Sequence, residues 1–196
     1  MLGLLALLTA CGSEPAPASA APGPNRATAV FAGGCFWCTE SDFDKMPGVL
    51  STVSGYIGGR TARPTYEQVS AGDTGHIEAV RVTYDPAKVS YARLASRFMR
   101  TIDPLDSGGS FCDRGYQYRS AFFVATAEQK RIAEGTKAGA AKVLGRPVAT
   151  LVLPATSFTP AEGYHQDYYK KNPVRYRFYR SRCGRDARLA EVWGGK

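Results

Sequence analysis

One stretch of the chain contains two closely spaced cysteines: Gly33-Gly34-Cys35-Phe36-Trp37-Cys38-Thr39-Glu40. It follows a mostly apolar run, residues 28–32, that predicts a strand, and the two glycines then allow a tight turn. A helix predicted from Cys35 to about Lys45 places Cys38 one turn beyond Cys35 on the same face. The free N–H groups and the dipole of a helix N-terminus favour an anion, so we expect a lowered pKa for Cys35. The stretch therefore predicts a reactive thiol with a second thiol beside it.

The spacing Cys-x-x-Cys alone has several interpretations. The two thiols could simply be small buried residues, or a redox pair of the thioredoxin type. A zinc half-site would need a second pair of ligands. Cys112 and Cys183 stand alone, however, and His76 and His165 lack the spacing of zinc ligands. We therefore predict no metal and no cofactor.

The overall composition is that of a globular protein. The chain has 196 residues, of which 44% are hydrophobic and 21% charged, and these values predict one folded domain of ordinary size. The net charge is +8, and a cluster of basic residues lies near the C-terminus: Lys170, Lys171, Arg175, Arg177, Arg180, Arg182, Arg185 and Arg188. A solvated basic face explains this cluster better than nucleic-acid binding, because no recognition motif accompanies it.

The N-terminal segment has a composition unlike the rest. Residues 1–10 are almost wholly apolar but too short to span a bilayer, and the sequence Leu8-Thr9-Ala10-Cys11 resembles the lipobox of bacterial lipoproteins, although no Lys or Arg precedes it. Residues 11–27 form a Pro/Ala-rich tether. We expect lipidation of Cys11, a periplasm-facing position in a bacterial cell envelope, and a single catalytic domain over residues 28–196 with a tail from about 174. A cytoplasmic location is the alternative.

Hydrophobic periodicity predicts a mixture of strands and helices. Strands are expected at residues 49–56, 76–84, 119–125 and 148–153. Helices are expected at residues 90–102, 126–144, 159–171 and 185–192, with a Gly/Asp/Ser-rich loop over 103–116. Because the two types do not alternate strictly, the order favours an α+β fold with a mixed sheet over a doubly wound sheet.

The strand at 76–84 carries an unusual carboxylate. By the period of two, Glu78 shares its face with the apolar side chains of Val80, Val82 and Tyr84. One interpretation is a strand-end carboxylate that reaches water or an arginine. The other is a poorly solvated acid whose pKa is raised, so that it can donate a proton near neutral pH.

The stretch at 33–40 resembles the active-site signature of the peptide methionine sulfoxide reductase A family, and the resemblance extends over residues 28 to 180. It rests on further blocks in family order: Pro47-Gly48-Val49, Ser54-Gly55-Tyr56-Ile57-Gly58-Gly59, Pro64-Thr65-Tyr66, residues 70–80, Tyr84-Asp85-Pro86, Gln117-Tyr118-Arg119-Ser120-Ala121, Tyr164-His165-Gln166 and Lys171-Asn172-Pro173. The resemblance implies a two-layer α/β sandwich related to the ferredoxin-like plait. It also implies reduction of methionine S-sulfoxide, free or in proteins.

The resemblance also implies roles for individual residues. Cys35 would attack the sulfoxide sulfur, and Glu78 would share or donate a proton to the sulfoxide oxygen. The side chains of Phe36 and Trp37 would line an apolar pocket for the substrate methyl group. Three residues would complete the polar wall around the oxygen: Tyr66, Asp113 and Tyr118.

Turnover would leave Cys35 as a sulfenic acid, which a second thiol converts to a disulfide. We favour Cys38 as the resolving thiol. Cys183 is the alternative, either by attacking Cys35 directly or by taking the disulfide onward from Cys38. Cys112 is expected to be a buried bystander. An external dithiol such as a thioredoxin-like protein would then reduce the disulfide, and we expect the enzyme to be a monomer.

Two further histidines and two other functions complete the sequence-based predictions. His165 and His76 are expected to be structural, with His165 holding the C-terminal segment against the site. A thiol–disulfide exchanger that uses only Cys35 and Cys38 is the alternative enzyme. A surface lipoprotein that binds oxidised methionine segments without turnover is the alternative binding protein.

Overall fold

The computed structural model describes residues 25–194; the predicted signal segment, nearly all of the tether and Cys11 lie outside the described residues. The strands are Ala27–Gly33 (β1), Val49–Ile57 (β2), Ile77–Tyr84 (β3), Gly109–Ser110 (β4), Asp113–Arg114 (β5), Ser120–Val124 (β6), Leu151–Pro154 (β7) and Thr159–Pro160 (β8). The α-helices are Phe36–Asp44 (α1), Tyr66–Ala71 (α2), Tyr91–Arg100 (α3), Ala127–Leu144 (α4), Tyr168–Lys171 (α5), Pro173–Arg182 (α6) and Arg185–Trp193 (α7), and a 3₁₀ helix spans Tyr116–Tyr118.

Six of these strands form one mixed sheet in the order β7-β6-β1-β3-β2-β8. Its neighbours pair antiparallel except for β6 and β7, which are parallel and are connected through α4. A parallel pair needs a crossover, and the 18-residue helix α4 provides it. The predicted α+β class with a mixed sheet is confirmed.

The main hydrophobic core lies between one face of the sheet and the helices α1, α3 and α4. Phe31, at its centre, has its ring centroid 4.8 Å from that of Phe43 and 5.1 Å from that of Phe98. The amphipathic helix α3 begins at Ser90, whose hydroxyl caps the helix by accepting a hydrogen bond from the Arg93 N–H at 3.2 Å. A smaller apolar cluster covers the opposite face. Two layers, sheet and helices, therefore make up the domain.

The helix predicted from Thr159 is wrong. Thr159 and Pro160 instead form the edge strand β8 beside Tyr56 and Gly55 of β2. The side chain of Gln166 then satisfies the backbone of Ser54, with its oxygen accepting from the Ser54 N–H and its amide donating to the Ser54 carbonyl, both at 2.9 Å. Pairing with an exposed sheet edge therefore outweighs the local helix-start signal.

The C-terminal segment packs against the end of β1 through α6, which the sequence did not predict, and α7, which it did. The buried guanidinium of Arg185 donates to the backbone carbonyls of Thr101, at 2.8 Å, and Gly33, at 3.3 Å. The Trp193 indole donates to the Ile102 carbonyl at 3.0 Å. The bond to Gly33 places α7 against the stretch that carries the two cysteines, and Arg180 of α6 donates to Asp42 of α1 at 3.0 Å.

Candidate active site

The thiols lie where β1 turns into α1. Gly34 has a φ of +80°, and a Cβ there would come within 2.4 Å of the Ser110 Cβ, so the turn requires glycine. Cys35 is the N-cap of α1, and its carbonyl accepts hydrogen bonds from the N–H groups of Cys38 and Thr39. Both thiols are free and buried, with Cys35 7% and Cys38 2% exposed. The predicted helix start and the predicted neighbouring thiol are both present.

Glu78 reaches this helix start from β3. Its Oε2 accepts a hydrogen bond from the Phe36 N–H at 3.0 Å, and the residue is 3% exposed. This burial argues against the interpretation in which the carboxylate reaches water. Burial raises the pKa of Glu78 to about 8, although the Phe36 N–H acts in the opposite direction. A carboxyl group that is largely neutral at pH 7 therefore lies beside the thiols.

The expected lowering of the Cys35 pKa is wrong. Burial raises the pKa of Cys35, and the neighbouring Cys38 and Glu78 raise it further. The pKa of Cys38 is lowered instead, first by a hydrogen bond from Cys35 and then by the charges of Arg185 and Arg180. The helix N-terminus does not lower the pKa of Cys35, because its first N–H group, that of Phe36, donates a hydrogen bond to Glu78 instead. Burial and the nearby acidic groups thus favour the thiol form of Cys35, whereas the two arginines favour the thiolate of Cys38.

The three predicted polar residues converge on this point. Tyr66 is the first residue of α2, Tyr118 ends the 3₁₀ helix, and Asp113 begins β5. Burial raises the pKa of Tyr66 to about 12, and the charges of Glu78 and Cys35 contribute. The same charges, after burial, raise the pKa of Tyr118, and burial raises that of Asp113. The structure thus brings together residues from three separate segments around Glu78.

An aromatic group forms the other wall. Trp37 stacks face to face on Tyr168, with ring centroids 3.7 Å apart, and its indole N–H donates to Nδ1 of His165 at 3.1 Å. Because Nδ1 accepts, the His165 proton belongs on Nε2. Phe36 is only 1% exposed, and its ring centroid lies 4.9 Å from that of His165. The Phe36 ring is therefore the buried part of this aromatic wall, next to Trp37. His165 positions the tryptophan, which fits the predicted structural role.

The predicted structural role of His76 also agrees with its contacts. Its ring accepts a hydrogen bond from the Gly59 N–H at 3.2 Å and bonds the Thr61 carbonyl at 2.8 Å. The residue is buried beside the turn that follows β2. It therefore fixes a loop rather than contributing to the thiol site.

Sequence reasoning missed Tyr179 on α6. Its hydroxyl donates a hydrogen bond to Asp113 Oδ2, and the same tyrosine acts to lower the pKa of Cys35 against the larger effect of burial. Its ring meets Trp37 edge to face, with centroids 5.7 Å apart. One sequence pattern could have indicated it. Tyr176 and Tyr179 are spaced to share one face of a helix, and they follow Pro173, a residue that favours a helix start.

The prediction of Cys112 as a buried bystander is wrong. Cys112 is exposed and forms a disulfide with Cys183, which is the C-cap of α6. The bond ties α6 to the loop that carries Asp113. In this state Cys183 is not a free thiol, which leaves Cys38 as the thiol next to Cys35.

The described part of the chain offers neither a metal site nor a membrane-spanning helix. Among residues 25–194, no group of three or more His, Cys, Asp or Glu side chains is placed to hold a metal ion. Within the same residues no helix has the length and apolar character needed to cross a bilayer.

Comparison with known proteins agrees with this geometry. The family model described as peptide methionine sulfoxide reductase matches residues 27–196. A curated relative from Caulobacter vibrioides, peptide methionine sulfoxide reductase MsrA 2, is 53% identical over 196 residues, covering 100% of this chain and 98% of the relative. The chain belongs to the peptide methionine sulfoxide reductase A family. It is therefore an oxidoreductase.

Solved structures of the family share the fold. Methionine sulfoxide reductase A of Corynebacterium diphtheriae matches with a TM-score of 0.69 and 35% identity, over 78% of this chain and 77% of that one. Mxr1 of Saccharomyces cerevisiae in reduced form matches with a TM-score of 0.74 and 30% identity, over 79% of this chain and 90% of the yeast chain. Both confirm the fold expected from the family resemblance.

Proposed function

We propose that this reductase acts on methionine S-sulfoxide, free or in proteins, with Cys35 as nucleophile and Glu78 as proton donor. The observation that carries the proposal is the hydrogen bond from the Phe36 N–H to Glu78. This bond holds a buried acid of raised pKa at the same helix start as the thiol. A sulfoxide oxygen is a poor leaving group, so the reaction needs an acid and a thiolate together.

The first step transfers the sulfoxide oxygen to the enzyme. The Cys35 thiolate attacks the sulfoxide sulfur while Glu78 protonates the oxygen, and the S–O bond to the substrate then breaks. Methionine leaves, reduced by two electrons, and Cys35 becomes a sulfenic acid. Tyr66 and Tyr118, which keep their hydroxyl protons because their pKa values are raised, donate to the oxygen.

The second step forms an intramolecular disulfide. The thiolate of Cys38, which the nearby arginine charges favour, attacks the Cys35 sulfenic acid and displaces hydroxide, which takes a proton from solvent and leaves as water. Both sulfurs are buried. A thioredoxin-like dithiol is the class of partner that reduces such a disulfide, by exchange through a mixed disulfide.

The aromatic wall selects the substrate. Trp37 is held on both sides, by the Tyr168 stack and by the His165 hydrogen bond, so its ring has a fixed orientation. A rigid aromatic face next to the thiol binds the methyl group of the sulfoxide and orients the sulfur for attack. We assign preference for the S epimer to this fixed placement of the methyl and oxygen sites.

Glu78→Gln separates this function from simple thiol–disulfide exchange. The lowered pKa of Cys38 is the observation that favours the exchange activity as a second candidate. For a sulfoxide reductase, Glu78→Gln should reduce methionine release by at least about 100-fold, while exchange with a small disulfide stays within about threefold of wild type. Equal loss of both activities would contradict the assigned role of Glu78.

The reduction of methionine sulfoxide itself also needs a direct test. With dithiothreitol as reductant and separate S and R substrates, the S epimer should be converted to methionine. Conversion of the R epimer alone would overturn the proposed specificity. If neither epimer yields methionine, the function as a reductase is refuted, and thiol–disulfide exchange and binding without turnover are the alternatives that remain.

We further propose that Cys11 is acylated and anchors the protein in the cell envelope. The support is sequence alone: a short apolar segment, the Leu8-Thr9-Ala10-Cys11 ending and a Pro/Ala-rich tether. Cys11→Ser should move the protein from the membrane fraction to the soluble fraction. An unchanged distribution would refute the anchor.

A further inference from the structure

Glu162 follows β8 in the chain and has no part in the reaction steps proposed above. Its carboxylate accepts hydrogen bonds from two different elements. Oε1 accepts from the backbone N–H of Tyr66, and Oε2 accepts from the Tyr56 hydroxyl, both at 2.8 Å. The Glu162 carbonyl also accepts from the His165 N–H at 2.9 Å. One residue therefore joins β2, α2 and the turn that carries His165.

The residues that Glu162 holds belong to both sides of the site. Tyr66 is one of the two tyrosines whose hydroxyls donate to the sulfoxide oxygen in the proposed reaction. Its ring centroid lies 4.4 Å from that of His165. His165 in turn accepts the hydrogen bond from the Trp37 indole at 3.1 Å. The oxygen side of the site and the aromatic wall are thus connected through Glu162.

Both side-chain hydrogen bonds depend on an ionised carboxylate. Burial acts to raise the pKa of Glu162, but hydrogen bonds to its carboxylate, among them those from Tyr66 and Tyr56, lower it. A carboxylate accepts at both oxygens, and hydrogen bonds to a charged acceptor are stronger than those between neutral groups. A glutamine would keep one acceptor oxygen and present an amide donor in place of the other. It would therefore disturb one of the two bonds without changing the size of the side chain.

We propose that Glu162 is a positioning residue that places the Tyr66 hydroxyl against the sulfoxide oxygen. It acts through the backbone of Tyr66, at the start of α2, and not by touching the substrate. The hydroxyl lies at the far end of the side chain, so a small rotation at the Tyr66 backbone displaces it from the oxygen. A displaced donor loses much of its stabilising effect on the transition state. This inference rests on the proposed function.

The test compares Glu162→Gln with Glu67→Gln in the whole protein. Glu67 is a matched control because it is the exposed neighbour of Tyr66 in α2 and its removal changes the charge equally, yet it receives neither hydrogen bond. The measurement is the first-turnover rate of methionine formation against the concentration of S-sulfoxide. At saturating substrate, Glu162→Gln should be at least about 10-fold slower than wild type, with the half-saturating concentration within about twofold. Glu67→Gln should stay within about twofold of wild type in both values.

A double-mutant cycle tests whether Glu162 acts through Tyr66. If it does, Glu162→Gln should slow the reaction by less than about twofold once Tyr66→Phe has removed the hydroxyl. A merely structural contribution would lower the rate by the same factor in both backgrounds, and that result overturns the inference. A Glu162→Gln rate within about twofold of the Glu67→Gln rate also overturns it.

A second measurement reads the thiol without any sulfoxide. In a Cys38→Ser background, the rate of Cys35 alkylation by iodoacetamide, located by peptide mass, should be the same with and without Glu162→Gln. A fall in alkylation as large as the loss of turnover overturns the inference, because the change would then act on the thiol.

A milder variant covers the case in which Glu162→Gln does not fold. Tyr56→Phe removes only one of the two hydrogen bonds and should slow the first turnover by at least about threefold. This effect should also disappear in the Tyr66→Phe background, and an unchanged rate for Tyr56→Phe overturns the inference. Failure of the proposed function has a different signature, because wild-type protein would then form no methionine.

Discussion

The first backbone N–H of α1, that of Phe36, donates to Glu78 rather than to the neighbouring thiol, with a nitrogen-to-oxygen distance of 3.0 Å. A helix N-terminus stabilises one nearby anion best. While Glu78 is charged it takes that stabilisation and also raises the pKa of Cys35. Protonation of Glu78 removes this charge and leaves the helix start for the Cys35 thiolate. Acid and nucleophile are therefore coupled, so that the productive pair is neutral Glu78 with ionised Cys35.

Sulfoxide reduction should decline as the pH rises through about 8. The donor is the protonated form of Glu78, whose pKa is raised to about 8 by burial, and this form disappears above that pH. The measurement is the single-turnover rate of methionine formation against pH. Exchange with a small disulfide should keep increasing over the same range. A reduction rate that rises with the exchange rate to about pH 9.5 would contradict the assignment of Glu78 as donor.

Glu78→Gln should stabilise the fold at alkaline pH. The pKa of Glu78 is raised from 4.5 to about 8, so between these values the native state holds a proton that the unfolded state has lost. Wild-type stability therefore falls as pH rises through this window, by about 1.4 kcal/mol per unit of pKa shift. The neutral amide avoids this loss. The free energy of unfolding in urea, measured for both proteins at about pH 5 and about pH 9, tests this prediction. The difference in favour of the variant should be larger at pH 9.

Gly34→Ala should destabilise the protein and Gly139→Ala should not. A Cβ at residue 34 meets the Ser110 Cβ at 2.4 Å, and its φ of +80° disfavours alanine. The expected cost is about 1–3 kcal/mol. Gly139, inside α4, has nothing within 4 Å of an added Cβ, so alanine should stabilise by about 0.5–1 kcal/mol. Equal midpoints of thermal unfolding for the two variants would be inconsistent with this geometry.

Thiol counts after one equivalent of S-sulfoxide should identify the resolving cysteine. Wild type has free thiols at Cys35 and Cys38 and should lose both, whereas Cys38→Ser should lose only that of Cys35. The informative variant combines Cys38→Ser with Cys112→Ser, which frees Cys183 from its disulfide. We expect it also to lose one thiol. Loss of two would show that Cys183 attacks Cys35 directly.

The sequence predicted those parts of the fold that local periodicity determines. The strand that carries Glu78 and the helix α4 with its cap at Thr126 follow from patterns of two and 3.6 residues. The helix start at Thr159 failed because its signal is local, whereas pairing with the edge of β2 depends on residues a hundred positions away. No local sequence pattern indicates whether the helix or the edge strand will form.

The residues of the candidate site also differ in whether a local sequence pattern marks them. Cys35, Glu78 and Trp37 could be found because a motif or an anomalous carboxylate marks them. Tyr179 could not, since its importance comes from the contacts that place α6 against Trp37 and Asp113. The expected lowering of the Cys35 pKa was also wrong, because burial outweighs the helix dipole and can only be judged from the folded structure.

The packing of α6 and α7 on the end of β1 has a consequence for biosynthesis. Tyr179 and Arg185 are translated long after Trp37 and Gly33, the residues that they contact at the cysteine turn. During translation the sheet can form while the cysteine turn still lacks its cover. A nascent chain therefore acquires its thiol pair well before the environment that governs its reactivity, and full redox competence comes only once α6 and α7 have been made.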